Sequence, residues 1–388
     1  MANSLAWFLD NKGKSSLISE IKPKVTFVTS SMNLGGAERQ LLLLCNQLKM
    51  DMSIQIITLD ATGPMLETYE QKFPGILKID SKKYSLPVVL YKLFTSIKST
   101  NPDVVITWLY KADILGGIAA KLIGKAPVIW SARNSSIPSF SILKRSMLVF
   151  FANRIPTFIV ANGKPAKDFH KSIGYPESKI RRIPNLLAPW TRKVSSNSQL
   201  LKSYRPVNEL RIGIASRQIS GKGILETISS VLSFPATLPK ITLLLIGQQT
   251  EESKAWEKKG LYFGYSAFQI TEDEDLASWF ASLDLYLMPS TSWESQPNSL
   301  FEAIAIGCPV LCSDRFELDI DLPPSLKYKT SDPDALRETL TSYLLAENNL
   351  VVENVNMLRM YIENMSNPQL IKNLWKTLIE SAINREKQ

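Results

Sequence analysis

Along this chain, short runs of β-branched and aromatic residues trade places with longer stretches whose apolar positions recur at helical spacing. The stretch KVTFVTSSMNLGGAERQLLLLCNQL predicts a strand over Val25–Thr29, a turn broken by Gly35 and Gly36, and a helix with Leu41–Leu44 and Leu48 on its apolar face. SIQIITLD is the next strand. PDVVITWLY and APVIWSAR follow with helical KADILGGIAAKLIG between them, and TFIVANG and IRRIPNLL complete the half. Strand and helix in alternation are the pattern of a doubly wound parallel sheet. The periodicity lapses over APWTRKVSSNSQLLKSYRPVNE, rich in serine, proline and charge, which reads as a linker. It restarts as LRIGIAS, KGILETISSVLSF, ITLLLIG, GLYFGY, EDLASWFASLD, LYLMPS, NSLFEAIAIG and PVLCSD, followed by a helical tail from about Pro333. The expected fold class is α/β: two Rossmann-like, doubly wound domains over about 1–188 and 207–360, facing across a cleft. The last helix, about 365–388, is expected to return to the first domain.

A chain of 388 residues, 45% hydrophobic and 21% charged, suits two soluble globular domains. No apolar run approaches the ~20 residues that cross a bilayer. The start MANSLAWFLDNKGK lacks the basic opening and small-residue cleavage site of a signal peptide, so a cytoplasmic location is expected. Cys45, Cys308 and Cys312 suit a reducing compartment; CPVLC lacks Cys-x-x-Cys spacing and partner ligands, so the three read as buried thiols. His170, in the lysine-flanked KDFHKSIGYP, is expected at the surface rather than as a catalyst or ligand. Charge is uneven: residues 1–190 hold 25 Lys and Arg against 12 Asp and Glu, a net of +13, while the remainder holds 20 against 24. The first half is therefore expected to meet something anionic.

Chemistry concentrates in SWESQPNSLFEAIAIGCPV, where Glu294 and Glu302 stand eight positions apart. Pro297 suits the first position of a helix, which would run to about Ile306 and stop at Gly307. The amides of Asn298, Ser299 and Leu300 would then form an anion-binding helix start, with Glu302 one turn further along the same face. Carboxylates at a strand's carboxyl end are natural partners for sugar or ribose diols; ordinary surface glutamates are the alternative. GIASRQISGKGILE adds Arg217 after a strand and Lys222 between two glycines, a pattern suited to paired phosphates, although solvated cations fit it as well. It lacks the spacing of a nucleotide P-loop, and SSMNLGGAERQ is not the dinucleotide fingerprint, so nucleoside triphosphate hydrolysis and nicotinamide binding are not expected.

Taken together, GGAERQ, GYPESKIRRIPNLL, SRQISGKG and LDLYLMPSTSWESQPNSLFEAIAIGCPVLCSD resemble, in order within a match from about residue 24 to 385, the retaining glycosyltransferases of family four with the GT-B fold. The resemblance implies a hexosyltransferase, with glucose first among the sugars, acting from a UDP-sugar on a polysaccharide or lipid-linked glycan. It implies that Glu302 holds the ribose hydroxyls and Glu294 the hydroxyls of the transferred sugar. Asn298–Leu300 would meet diphosphate and sugar, Arg217 and Lys222 would neutralise the departing diphosphate, and Gly35 and Gly36 would face it. No cofactor or metal is expected, because the cations replace a divalent ion.

The chain departs from the family pattern at Ser295, where many members have glycine, and at Leu186, where Asn-Gly is common. WSARNSS offers Arg133 and Asn134 where some relatives carry a histidine, candidates for an anionic acceptor or the donor phosphate. Three other readings stand beside this one. A GT-B sugar-nucleotide epimerase needs different acid–base residues, and a glycoside hydrolase needs no Arg217 or Lys222. A non-enzymatic protein binding an anionic surface or nucleic acid would use the basic half, but no nucleic-acid motif or stacking platform accompanies that charge. The segment FSILKRSMLVFFANR, where Lys144, Arg145 and Arg154 flank Phe140, Leu148, Phe150 and Phe151, offers a seat on an anionic membrane face.

Overall fold

Strand β1, Lys24–Thr29, buries every position but its first, the signature of a parallel strand covered on both faces. The structure, a computed structural model, describes residues 22–133, 142–195, 209–232, 239–247, 250–258, 266–268, 273–332 and 334–386. The chain divides into two compact units, residues 1–186 with 368–388 and residues 187–367.

In the first unit β1 is followed by α1 (Gly36–Leu48), β2 (Ser53–Thr58), α2 (Leu66–Lys72), β3 (Leu77–Lys78), α3 (Leu86–Thr100), β4 (Val104–Trp108), α4 (Tyr110–Ile123) and β5 (Val128–Ala132). The helix α5 (Ile142–Arg154), β6 (Phe158–Ala161), α6 (Lys164–Ser172) and β7 (Ile180–Arg182) complete it. The sheet order is β3-β2-β1-β4-β5-β6-β7 with parallel pairing throughout. Order reverses between β1 and β4, whose ends register as Thr29 beside Trp108. The Gly35–Gly36 turn therefore leaves the sheet at the switch point where open α/β sheets bind ligands.

The last helix, α14 (Pro368–Glu386), belongs to this unit. Trp375 stacks on Trp108 with ring centroids 6.4 Å apart. Lys372 and Lys376 reach Asp51 at 2.5 and 2.8 Å, and their hydrogen bonds hold its carboxyl below the usual range.

His170 is not at the surface. It is fully buried, its Nδ1 donates to Ala166 O at 2.7 Å, and Tyr110 Oη donates to its Nε2 at 3.0 Å. Burial pulls the imidazole down to about 4. The flanking lysines of α6 occupy the opposite side, while Ala166 and His170, four residues apart, share the buried face.

The second unit opens with a helix where a linker was expected: α7, Trp190–Ser195, lays Trp190 on Phe280 with centroids 5.6 Å apart. Then come β8 (Glu209–Ala215), α8 (Ile224–Leu232), β9 (Lys240–Ile246), α9 (Glu251–Lys258), β10 (Ser266–Phe268), α10 (Asp273–Ala281) and β11 (Leu285–Met288). The unit continues with α11 (Asn298–Ala305), β12 (Val310–Ser313), β13 (Lys327–Tyr328), α12 (Ala335–Leu345) and α13 (Asn348–Met365). Its order, β10-β9-β8-β11-β12-β13, is again the doubly wound one, with the switch point between β8 and β11. The expected strand GLYFGY lies outside the described residues. All three cysteines are buried and free; burial pushes the Cys312 thiol up to about 12.

Candidate active site

The switch point of the second sheet brings three segments together. The first is the turn after β8, where Gly223 adopts φ +68°, a left-handed conformation that favours glycine. A side chain there would meet Pro289 O at 1.9 Å, so the turn lies directly on the end of β11. Two amides, Thr291 N and Ser292 N, donate to Gly221 O at 3.2 Å each and fasten the turns to one another. Lys222 is thereby fixed between two glycines, beside the loop that carries Glu294.

That loop is the second segment. Glu294 N donates to Arg315 O at 2.9 Å and the residue bridges to Phe316, so its backbone is tied to the segment after β12. Its carboxylate accepts from Ser290 Oγ at 2.8 Å and from Lys222 Nζ. The two charged side chains are 24% and 19% exposed, partly screened from water yet reachable by a ligand. Ser290 is itself held, accepting at its carbonyl from Ser313 Oγ at 2.7 Å.

The third segment is α11. Pro297 stands at the N-cap, one position earlier than the sequence suggests, and the helix begins at Asn298. Phe301 N, bonded to Pro297 O at 3.2 Å, is its first amide in the intrahelical ladder; those of Asn298, Ser299 and Leu300 carry the positive end of the helix dipole. Ser299 Oγ donates to Ala215 O at 3.0 Å and accepts from Tyr286 Oη at 2.7 Å, which seats the helix start against the end of β8. The far end closes as expected: Gly307 adopts φ +86°, Gly307 N donates to Ile304 O and Cys308 N to Ala303 O, both at 3.0 Å. The side chain of Leu300 is buried, so only its backbone faces the site. Glu302 is 4% exposed, and its charge adds to the burial that pushes the Tyr286 phenol up.

Lys222, Glu294, Ser299 and the start of α11 thus converge at one sheet end. Arg217 follows β8 by two residues, exposed and without an ion pair to another described residue. Gly35, Gly36 and Arg133 belong to the first unit, and Asn134 lies outside the described residues. A Cβ on Gly35 would stand 2.3 Å from the end of the Glu38 side chain, which would have to move aside. Sequence reasoning missed Ser290, whose hydroxyl orients Glu294, and Tyr286, which anchors Ser299 across the strand end. Neither carries a motif of its own.

Residues 34–187 match Glycosyltransferase Family 4, and residues 211–345 match Glycosyl transferases group 1, together about three quarters of the chain. The UDP-N-acetylglucosamine–peptide N-acetylglucosaminyltransferase GtfA subunit of Streptococcus gordonii is 26% identical over 160 residues, 41% of this chain. That match spans 30% of the relative's length. Among solved structures, Anabaena HepE in complex with UDP and glucose superposes with a TM-score of 0.75 at 19% identity, covering 92% of this chain and all of the other. A glycosyltransferase from Rickettsia africae gives 0.70 at 17% identity, covering 94% of this chain and 99% of that one. Two doubly wound units, a lysine–glutamate pair at the second switch point and matches over both halves lead to one assignment: the chain belongs to the family-four glycosyltransferases, with the GT-B fold.

Proposed function

We propose that this chain transfers a hexose, glucose in the first instance, from a UDP-sugar to a polysaccharide or lipid-linked glycan, with retention at the anomeric carbon and without a metal ion. The observation that carries this reading is the Lys222–Glu294 pair set beside the amino end of α11. A neutral sugar and an anionic diphosphate need opposite partners, and this site holds a carboxylate and a cation in contact. The complex of HepE with UDP and glucose supports the choice of nucleotide and sugar.

In this reading the bond between the anomeric carbon and the diphosphate oxygen breaks, and negative charge grows on the leaving phosphate. Lys222, Arg217 and the α11 dipole stabilise that charge, a contribution largest in the transition state. The acceptor hydroxyl oxygen forms the new bond on the face the phosphate leaves, and its proton passes to the phosphate. Glu294, released from part of its hold on Lys222, accepts from hydroxyls of the transferred sugar. Glu302 accepts from the ribose.

The first unit is proposed to rest on an anionic membrane face. Of the apolar residues expected there, Leu148 is buried, Phe151 is half-buried and Phe140 lies outside the described residues. The exposed set on α5 is instead Ile142, Leu143, Met147 and Phe150, at 86, 71, 45 and 49%, beside exposed Lys144 and Arg145, a mixed apolar and basic surface suited to an acidic lipid interface. Among the described residues no helix is long and apolar enough to cross a membrane.

The test is a donor screen: the chain incubated with UDP- and GDP-sugars, release of nucleotide measured, and the anomer of the transferred sugar read by NMR. Turnover confined to a UDP-hexose, persisting in EDTA and giving a retained anomer, is expected. Inversion, a strict metal requirement, or preference for a GDP-sugar would overturn the corresponding part of the reading.

A further inference from the structure

The carboxyl end of the first unit's sheet carries a guanidinium that, among the described residues, has no carboxylate partner. Arg133 follows directly on β5; its Nε donates to Ser131 Oγ and its Nη1 to Asn185 Oδ1, each at 2.7 Å. Its Cζ lies 4.2 Å from the centre of the Trp108 ring, with Trp375 at 6.0 Å. Both supports are themselves fixed. Trp108 Nε1 donates to Ala37 O at 2.9 Å, next to the Gly35–Gly36 turn. Gln40 grips the residue after Asn185 twice: its Nε2 donates to Leu186 O at 2.7 Å, and Leu186 N donates to its Oε1 at 2.8 Å. Three stretches distant in sequence, at Trp108, Asn185 and Trp375, therefore converge on one side chain, and a fourth, Ala37–Gln40, braces the first two.

Every one of these partners is neutral. Serine, asparagine and indole orient the cation without cancelling its charge, and Nη2 donates to no other described residue. The segment that follows, residues 134–141, contains no Asp or Glu. Burial pulls the guanidinium down to about 9, and among the described residues no carboxylate pairs with it to offset that cost. A purely structural arginine would be better replaced by an apolar side chain. An arginine whose remaining N–H groups bond no described residue, fork-shaped and pre-oriented, matches the two oxygens of a carboxylate or phosphate.

We propose that Arg133 is the anion-binding residue of the first unit and that the acceptor substrate carries an oxyanion, phosphate or carboxylate, which this guanidinium holds. The proposal rests on the glycosyltransferase reading above for the word acceptor, and on the first unit alone for the anion. A neutral hydroxyl of a plain glycan needs no such cation.

The test uses the full chain saturated with UDP, so that the donor's diphosphate site is filled and an added anion must bind elsewhere. Inorganic phosphate and, separately, acetate are titrated calorimetrically, and the tighter of the two identifies the class of oxyanion. Binding of at least one is expected, weakened tenfold or more in Arg133→Gln with UDP affinity unchanged. Equal anion binding by wild type and variant, or no anion binding by the wild type, overturns the proposal. So does a loss of UDP affinity in step with the anion, which would give Arg133 to the donor. Should Arg133→Gln not fold, Arg133→Lys, which keeps the charge but loses the planar fork, replaces it with the same criteria. Failure of the wild type to bind UDP counts against the glycosyltransferase reading instead, because the anion titration can be repeated without nucleotide.

Discussion

Lys222 Nζ donates to the Glu294 carboxylate, joining the turn after β8 to the loop after β11 across the switch point of the second sheet. In the proposed reading the two members serve different halves of the donor, Lys222 the diphosphate and Glu294 the sugar. Lys222→Ala is expected to lower turnover by about 10²–10³, the usual effect of removing one charge-stabilising donor. Arg217→Ala should act in the same direction with little change in thermal stability, since the side chain is exposed. Nucleotide-release kinetics on both variants decide the matter, and near-normal turnover in either removes that residue from the assignment.

Glu302 and Glu294 should separate in a binding experiment. Glu302→Gln is expected to weaken UDP itself by about tenfold, the loss of a charged hydrogen bond. Glu294→Gln should leave UDP affinity near wild type while reducing turnover. Calorimetry with UDP checks both, and equal weakening by the two variants rejects the division of labour.

Gly223 tests the turn that presents Lys222. With φ at +68° and Pro289 O where a Cβ would stand, Gly223→Ala must both strain the backbone and push the turn off β11. Stability should fall by at least about 1–2 kcal/mol, the cost of a left-handed conformation for an L residue. Turnover should fall further than stability accounts for, because Lys222 moves with the turn. A stable Gly223→Ala variant with full activity would falsify this account of the loop.

Two buried groups of the first unit should tilt stability in opposite directions with pH. His170 is held near 4 against an ordinary 6.5, so the unfolded chain takes up its proton first as pH falls. Its contribution is complete above 6.5 and is lost toward 4, up to about 3 kcal/mol. Asp113 is raised by burial to about 8 from 3.8, partly offset by Thr107 Oγ1 donating at 2.6 Å. Its contribution is complete below 3.8 and is lost as pH rises toward 8. Denaturant unfolding from pH 4.5 to 8.5 should therefore show His170→Gln flattening the acid limb and Asp113→Asn the alkaline limb. Parallel profiles for wild type and variants would contradict both burial effects.

How much of this is visible in the sequence depends on whether a feature is local. The strands Val25–Thr29 and Leu285–Met288, and the closure of α11 at Gly307, follow from composition within a few residues, and the structure has them. Lys222 and Glu294 also announce themselves through flanking glycines and proline. That they touch is not legible, because 72 residues separate them and only the sheet order brings them together. The helix Leu86–Thr100 escapes the sequence reading because LPVVL resembles a strand, and Ser85 and Pro87 are its only start signals. His170 and Trp190 mislead for a related reason: each sits among polar neighbours, while the partners that bury it, Tyr110 and Phe280, lie 60 and 90 residues away.

The remaining prediction concerns α5. Arg154 lies over Phe150 at 3.9 Å, so that ring already carries a cation, while Ile142, Leu143 and Met147 stand open to water. Such side chains bury into the headgroup region of a membrane, and each nearby basic residue adds about 1 kcal/mol on an anionic leaflet. The first 190 residues carry a net +13, which extends the attraction beyond the helix itself. Sedimentation with liposomes should show binding that needs acidic lipid and weakens with salt. Lys144→Ala with Arg145→Ala should reduce the salt-sensitive part, whereas Leu143→Ser with Met147→Ser should reduce binding at every salt concentration. If neither double variant differs from wild type, or if neutral vesicles bind as well as acidic ones, α5 is not the membrane contact. The basic first unit would then have to serve an anionic acceptor in solution, a possibility the Arg133 titration addresses independently.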